Sequence, residues 1–398
     1  MPPRRRCGLL RLLAAQPLLA ALCSALAPAA APSTVGRFSS FTNALPNGQL
    51  PSVPLLGNGA LGVLLDGRAD GGGRIDAWLG SASFWSCGAC TTLAKGCCRL
   101  VSLGGLRLQP AADAALGALA FAAEQRIGAG QLSATLTTAR GGVATVLVYE
   151  HPSDRNVVLN ISWAPAAGDP PALKLDVSVW AEPASGNGAS PAPASAGCAD
   201  PASGASAACN PAAAGASAQA IVVSRKAATA ANSPLPIWAA WAAVMSGGAP
   251  GANFSSAGNA GATASVAVTA SAPLSVRLAE YEGSGSGGSN DPSSAAVSQA
   301  FAADAGVIAA DAALFWTSFW GRSSVSLPGQ PGLEALWNGA AYALAATSSA
   351  DANVPPPGLY GVWATSDGCN WNGDYTLDYN AEVSSTPTTP PFSAVTAP

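Results

Sequence analysis

The sequence has little charge, one histidine and few long apolar segments. Asp, Glu, Lys and Arg make up 10% of its 398 residues, against about 25% in typical soluble domains. A single histidine excludes His-rich metal sites and disfavours a Ser-His-Asp triad. Beyond the N-terminal segment there is no run of 18 uncharged apolar residues, so we expect no membrane span in the mature chain. A net charge of −4, with no basic cluster after Arg11, argues against nucleic-acid binding.

The N-terminus has the pattern of a targeting segment. Arg4, Arg5 and Arg6 precede an apolar stretch from residue 9 to 27, and small residues follow it. This order is typical of a secretory signal, so we interpret residues 1–33 as a signal segment and expect a secreted, extracellular protein. An organellar transit peptide, leading to an organelle lumen, is the alternative.

The cysteines fit an oxidising compartment. Four of them are clustered, and disulfides explain the cluster better than a zinc site, whose C-x2-C pairs are usually spaced more widely: Cys87, Cys90, Cys97 and Cys98. Cys198 and Cys209 bracket an Ala/Gly/Ser/Pro segment and are expected to close it as a loop, which leaves Cys369 unpaired. No metal site and no cofactor is predicted; the phosphate-binding pattern G-K-[ST] is absent.

Most of the chain has the two-residue period of β-strands. Leu173, Leu175, Val177 and Val179 alternate with polar residues, and similar runs lie at 143–149, 157–163 and 274–278. Such runs, separated by Gly, Pro, Ser and Asn, predict an antiparallel sandwich. We therefore assign residues 34–283 to a β-domain. Its segment 183–220 is low in complexity, and we expect it to be a disordered insertion.

The period changes to helical after residue 293. We predict a linker with a connecting helix over 284–330, and a second helix begins near Gly332, within an α-domain placed at 331–383. Residues 384–398 form a Ser/Thr/Pro tail that we expect to be disordered. The fold class is thus multi-domain α+β. We expect Trp316 and Trp320 to pack against the β-domain. Asp304 and Asp311 are expected on a solvated helix face, and Asp66 in a turn.

Residues 361–382 carry the chemistry. This stretch holds two Trp, two Tyr, four acids and three Asn in a chain otherwise poor in charge. Aromatic faces stack on sugar rings, and carboxylates and amides hydrogen-bond sugar hydroxyls. We therefore predict a glycan-binding site, against the alternative of a solvated loop with core aromatics. The predicted substrate-binding residues are Trp363, Trp371, Asp374 and Glu382, and the predicted catalytic residues are Asp378 and Asn380.

Two motifs resemble glycoside hydrolase family 95, the inverting α-L-fucosidase-like six-hairpin glycosidases. The segment D-Y-T-L-D-Y-N-A-E at 374–382 resembles the D-Y-T-x-N-x-N-x-E segment of the family. The segment P-L-L-G-N-G-A-L-G at 54–62 is similar to its N-terminal P-L-G-N-G-R-L-G. The resemblance implies an N-terminal β-supersandwich, a linker helix and an (α/α)6 barrel that holds the active site. The glycines of the segment at 54–62 are expected to serve turns more than chemistry.

The chain departs from the family in two ways. In the family, both Asn residues of N-x-N position the attacking water, but Asp378 stands at the first of these positions here. Asp378 could act as the base itself, which favours the alternative of a six-hairpin glycosidase on another sugar, such as an α-galactoside. The Ala/Pro/Ser/Gly bias and the missing barrel favour a further alternative, a non-catalytic carbohydrate-binding or cell-wall glycoprotein. The family's general acid has no counterpart after Glu382. We therefore expect only the first part of the barrel, a truncated gene model or short form, and no glycosidase turnover by this chain.

Overall fold

The fold was described in a computed structural model, in which strands precede helices along the chain. The described residues are 31–32, 34–41, 45–46, 52–70, 72–87, 98–112, 116–181, 192–199, 206–207, 219–226, 238–256, 261–283, 292–349, 351 and 353–375. The signal segment predicted at 1–33, apart from Ala31 and Pro32, and the tail predicted at 384–398 lie outside these residues.

The described strands are numbered in chain order. They are β1 Val35–Phe38, β2 Leu55–Gly57, β3 Leu61–Arg68, β4 Arg74–Cys87, β5 Cys98–Pro110, β6 Leu119–Arg126, β7 Gln131–Thr138, β8 Val143–Glu150, β9 Asn156–Ala164, β10 Ala172–Ala181, β11 Ala192–Ala199, β12 Ser206–Ala207, β13 Gln219–Lys226, β14 Trp238–Gly247, β15 Ala249–Ser256, β16 Gly261–Thr269 and β17 Leu274–Gly283.

These strands form two antiparallel sheets. The larger has ten strands in the order β1-β6-β7-β8-β9-β17-β14-β13-β11-β12, and the smaller has seven in the order β15-β16-β10-β5-β4-β3-β2. Buried apolar side chains from both sheets make up one core cluster between them. The predicted antiparallel sandwich is therefore confirmed in its coarse form. A six-hairpin barrel is not part of what the described residues show.

Side-chain alternation explains the core. In β10, Leu173, Leu175, Val177 and Val179 are buried while the residues between them are partly exposed, as the two-residue period predicts. Strand β14 departs from this rule, because eight successive residues from Trp238 are buried. A helix covers its second face, and the exposed-face polar residues of an ordinary sandwich strand are therefore replaced by alanine and valine.

The helices follow the last strand. They are α1 Ser293–Ala302, α2 Ala305–Ser323 and α3 Pro331–Thr347. The sequence predicted one connecting helix where the structure has α1 and α2, bent by 80°. Asp304 favours the start of a new helix here, because its side chain caps α2 by accepting hydrogen bonds from the N–H groups of Gly306 and Val307. Asp304 is thus a cap as well as a surface residue.

The low-complexity segment is not structureless. Its described parts include strands β11 and β12, which lie at one edge of the larger sheet, and β13 begins just before the segment ends. The cysteine pairing predicted for Cys198 and Cys209 falls partly outside the described residues, since Cys209 is not among them. Strand β11 pairs antiparallel with β13 through its backbone, and β12 pairs with β11.

One other position differs from expectation and two agree with it. Asp66 is no turn residue; it lies within β3 and is 2% exposed. His151 directly follows β8, and its side chain is 14% exposed. Trp316 and Trp320 pack as predicted: the indole N–H of Trp320 donates to the Ile127 carbonyl of the β-domain at 3.0 Å. Across the described residues, no single helix has both the length and the apolar character of a membrane span, and α1 and α2 meet that test only when counted together.

Candidate functional site

The segment that follows α3 carries the described part of the predicted site. Trp363, Trp371 and Asp374 lie within the described residues, whereas Asp378, Asn380 and Glu382 lie outside them. The first three are distributed along one stretch of chain that runs over the β-domain and ends in a turn.

The glycine-rich motif lets this stretch approach the β-domain closely. A Cβ atom on Gly62 or on Gly80 of the adjacent strand would lie 2.4 or 2.3 Å from the carbonyl oxygen of Val362. Gly59 has a φ of +83° and forms the turn between β2 and β3. As the sequence predicted, these glycines serve turns and close packing.

Asn58 holds the same turn together. Its side-chain oxygen accepts hydrogen bonds from the N–H groups of Ala60 and Leu61, both at 2.9 Å. Its amide nitrogen donates to the carbonyl oxygens of His151 and Asp154, also at 2.9 Å. These four bonds satisfy the oxygen and both N–H groups of the buried Asn58 amide. The motif is therefore joined to the turn after β8.

Trp363 is a packing residue in this structure. Its side chain is buried among the residues of a second core cluster, and its indole N–H donates to the Leu56 carbonyl at 2.6 Å. A ring in this position presents little surface for stacking on a sugar. The predicted substrate contact of Trp363 is thus not supported by its location. Trp363 instead anchors this stretch of chain to strand β2 through Leu56.

Trp371, in contrast, is the most exposed large apolar side chain among the described residues, at 73%. It begins three successive residues with left-handed backbone, Trp371 at φ +50°, Asn372 at +57° and Gly373 at +66°. Such a conformation costs a non-glycine residue on the order of 1 kcal/mol or more. Strained backbone that presents an aromatic ring to solvent is a common property of binding loops.

Neighbouring contacts hold this turn in place. The N–H of Asn372 donates to the Cys369 carbonyl at 3.1 Å, and the N–H of Asp374 donates to the Trp371 carbonyl at 3.2 Å. A Cβ on Gly373 would lie 2.9 Å from the Cβ of Leu100 in β5, so the turn rests directly on the smaller sheet. These contacts constrain the backbone between Trp371 and Asp374.

Tyr375 extends the aromatic surface next to the turn. Its ring stacks on Trp85 of β4, with centroids 5.5 Å apart and planes inclined by 22°, and it is 39% exposed. Burial raises the pKa of the Tyr375 hydroxyl. We call Trp371, Asp374 and Tyr375 the aromatic turn. Exposed aromatic rings and a carboxylate close together in sequence are the groups that contact the C–H face and the hydroxyls of sugars.

A buried ion pair anchors the chain just before the aromatic turn. Asp367 Oδ2 lies 2.9 Å from Arg225 Nη2, and neither side chain is exposed. Asp367 Oδ1 also accepts from the Ser102 N–H at 3.2 Å, and Arg225 donates to the Ser102 carbonyl. Asp367 was one of the four acids of the predicted sugar-binding stretch, but its environment makes it a structural group.

Sequence reasoning missed Arg225 as a partner of this region. It follows the low-complexity segment, and the only available signal was a basic pair, Arg225 and Lys226, in a stretch almost free of charge.

The disulfide expectation is supported at one position, because Cys98 is disulfide-bonded. Cys369 is free and buried, and burial, together with Asp367, raises the pKa of its thiol to about 11. Within the described ranges, no three His, Cys, Asp or Glu side chains are grouped as metal ligands would be.

Comparison with solved structures gave matches of low similarity, two of which are described here. No protein-family profile and no curated protein sequence matches the chain. A structure provisionally assigned as a kojibiose phosphorylase from the human microbiome matches with a TM-score of 0.48 and 9% identity, covering 73% of this chain and 39% of its own. A bacterial glucoamylase in complex with acarbose matches with a TM-score of 0.38 and 8% identity, covering 79% of this chain and 44% of its own. The chain thus spans less than half the length of either.

Proposed function

We propose that this chain binds glycans through the aromatic turn, as part of a glycoside hydrolase of the α-L-fucosidase-like, six-hairpin type. One observation carries the proposal: Trp371 is 73% exposed on a left-handed turn that is fixed to the β-domain. The turn leads directly into the D-Y-T-L-D-Y-N-A-E segment that resembles family 95. An exposed tryptophan on a mobile loop would be weaker support, because loop ordering would then oppose binding.

The chemistry of this proposal belongs to the segment after the turn. Asp378 and Asn380 would act on the water side of the scissile bond, Asp378 as base and Asn380 as a water-positioning amide. Glu382 and Asp374 would bind sugar hydroxyls. Since Asp378 stands where the family has asparagine, fucosyl and galactosyl substrates are both candidates. We further propose a secreted location; the disulfide at Cys98 supports an oxidising compartment.

Binding is tested by fluorescence titration and calorimetry with methyl α-L-fucoside, methyl α-galactoside and fucosylated or galactosylated oligosaccharides. We expect Trp371→Ala to weaken binding by about tenfold or more, which is roughly 1.4 kcal/mol. Trp337→Ala is the matched control, because Trp337 is another exposed tryptophan, at 46%, on helix α3. Equal affinity of the two variants would exclude the aromatic turn as the binding surface.

Turnover is tested separately on aryl fucosides and aryl galactosides. This chain alone is expected to show no turnover. In a form that carries the complete barrel, Asp378→Asn should lower kcat with little change in sugar affinity if Asp378 is the base. Turnover that persists in Asp378→Ala would show that the catalytic assignment is wrong.

The second candidate function is a carbohydrate-binding glycoprotein without catalysis. The same exposed Trp371 favours it, since binding needs only the turn and not a pair of carboxyl groups across the sugar. Binding that depends on Trp371, combined with no turnover of any aryl glycoside even in a form that carries the complete barrel, would select this candidate.

A further inference from the structure

A cluster of charged and hydroxyl side chains links the two sheets. It joins β4 of the smaller sheet to β17 of the larger sheet and to the residue just before β9, and we call it the inter-sheet cluster: Ser81, Ser83, Glu280, Glu282 and Arg155. Arg155 Nη1 lies 2.7 Å from Glu280 Oε2 and 2.9 Å from Glu282 Oε1. The same guanidinium donates to the hydroxyl groups of Ser81 and Ser83, at 3.0 and 2.7 Å. A single arginine therefore holds groups from both sheets together.

The charges of the inter-sheet cluster do not balance. One guanidinium faces two carboxyl groups, so one negative charge is left over when both are ionised. Glu280 is fully buried and its Oε1 has no hydrogen-bond partner in the described structure, whereas both oxygens of Glu282 lie within 2.9 Å of the Ser83 hydroxyl. Burial, opposed by Arg155 and reinforced by Glu282, raises the pKa of Glu280 to about 7. Glu280 is therefore the member that exchanges a proton near neutral pH.

The charged groups around the cluster are paired with other partners. Arg225 of β13 lies level with the cluster in the strand register, but its guanidinium pairs with Asp367 at 2.9 Å. In the turn after β8, the His151 ring lies 3.4 Å from Asp154 Oδ2 and 3.3 Å from Asp311 Oδ2 of α2. Within the part of the chain that the structure describes, the ionised cluster thus has no second positive partner.

The cluster holds a turn that contacts the helices. Arg155 is the last residue of the turn 151–155, and the Asn58 amide donates to two carbonyl oxygens of this turn, both at 2.9 Å. The next residue, Gly59, donates its N–H to the Ala346 carbonyl of α3, also at 2.9 Å. The turn therefore connects Arg155 to the glycine-rich motif on which α3 is seated.

We propose that the inter-sheet cluster is a pH-sensitive switch that controls how firmly the turn 151–155 is held. With Glu280 protonated, Arg155 and Glu282 form one balanced pair and the turn stays closed. When Glu280 ionises, the cluster contains an unpaired buried charge, and opening of the turn becomes easier because it admits water to the carboxylates. The Glu282 and Arg155 side chains are 11% and 18% exposed, so the cluster lies close enough to solvent to exchange protons. The switch is independent of glycan binding at the aromatic turn.

Hydrogen exchange of the intact chain tests the switch, measured by mass spectrometry from pH 6 to pH 8.5 and corrected for intrinsic exchange rates. If Glu280 returns to its ordinary pKa of 4.5 when the turn opens, the opening constant of residues 151–155 should rise about tenfold over this range. Residues 58–61 should follow the same curve, because they are bonded to the turn. Residues 173–179 of β10 should show no such rise, which separates local opening from global unfolding.

Glu280→Gln should abolish the rise, because glutamine keeps the shape of the side chain and has no proton to lose. Glu282→Gln should also abolish it, since Arg155 and Glu280 then form a balanced pair, and this second variant serves if the first does not fold. Circular dichroism verifies folding. His151→Gln is the matched control, because histidine is the residue type that ordinarily changes charge between pH 5 and 8, and this variant should retain the rise.

Four results would overturn the proposal. They are an opening constant of residues 151–155 that does not change with pH, a rise that persists in Glu280→Gln, a rise that disappears in His151→Gln, and an equal rise in β10.

Discussion

Arg225 and Asp367 form a fully buried ion pair, with Nη2 and Oδ2 2.9 Å apart, that joins strand β13 to the chain just before the aromatic turn. The two residues are 142 positions apart in sequence. The strand that follows the low-complexity segment therefore holds the candidate glycan site. This link gives strand β13 a role that the composition of its neighbourhood does not indicate.

The first prediction concerns this pair. Asp367→Leu should destabilise the chain by about 3–5 kcal/mol, because it leaves the Arg225 guanidinium buried without its counter-charge. The change is measured by urea unfolding. Arg225→Met combined with Asp367→Leu should recover most of the loss, since two apolar side chains need no pairing.

Asp70→Leu is the control for the loss of a carboxylate, since Asp70 is exposed and should be nearly neutral in effect. A double variant as unstable as Asp367→Leu alone would contradict the ion-pair explanation. Glycan affinity is measured in the same variants, because a turn released from Asp367 should bind more weakly even where the β-domain remains folded.

The second prediction concerns the pH dependence of stability. Burial raises the pKa of Glu150 well above 4.5, so the folded chain binds this proton more tightly than the unfolded chain does. Stability from this group is complete below pH 4.5, its ordinary pKa, and is lost as the pH rises towards the folded pKa. Glu150→Gln should therefore be more stable than wild type at neutral pH and flatten this loss, at most about 1.4 kcal/mol per pH unit.

Urea unfolding between pH 4 and pH 9 measures the effect. Glu280, whose pKa burial raises to about 7 despite Arg155, produces a loss of the same sign in both proteins, so the difference between them isolates Glu150. Parallel curves for wild type and Glu150→Gln would show that the carboxyl is not neutral when buried.

The fold was predictable where one periodicity dominates. The alternation in β8, β9, β10 and β17 indicated strands, and the absence of proline together with apolar spacing indicated helices after residue 293. The strands β11 and β12 were not predicted, because their Ala, Gly, Ser and Pro residues show no two-residue apolar period. The structure pairs the backbone of β11 with β13 and that of β12 with β11.

The site was predictable only in part. A concentration of Trp and acids marked the segment of Trp371 and Asp374, but not which tryptophan is exposed. Trp363 is buried because distant glycines allow its backbone to approach, and Trp371 is exposed because of a left-handed turn. The partners Arg225 and Asp367 are tertiary, and a lone Glu150 in a strand carries no local signal that it is buried without a partner.

The last prediction separates backbone strain from packing at Gly59. Both Gly59 and Gly72 have positive φ, +83° and +90°, so alanine at either should cost about 1 kcal/mol of strain. A Cβ at Gly72 would meet nothing within 4 Å, whereas one at Gly59 would lie 2.2 Å from the Ser349 nitrogen. Since the Gly59 N–H also donates to the Ala346 carbonyl of α3 at 2.9 Å, Gly59→Ala must push the helix away from the β-domain. We expect it to lose about 1–3 kcal/mol beyond Gly72→Ala, measured by urea unfolding, with earlier proteolytic cleavage between the β-domain and the helices. Equal losses for the two variants would mean that the helix is not seated on the glycine-rich turn.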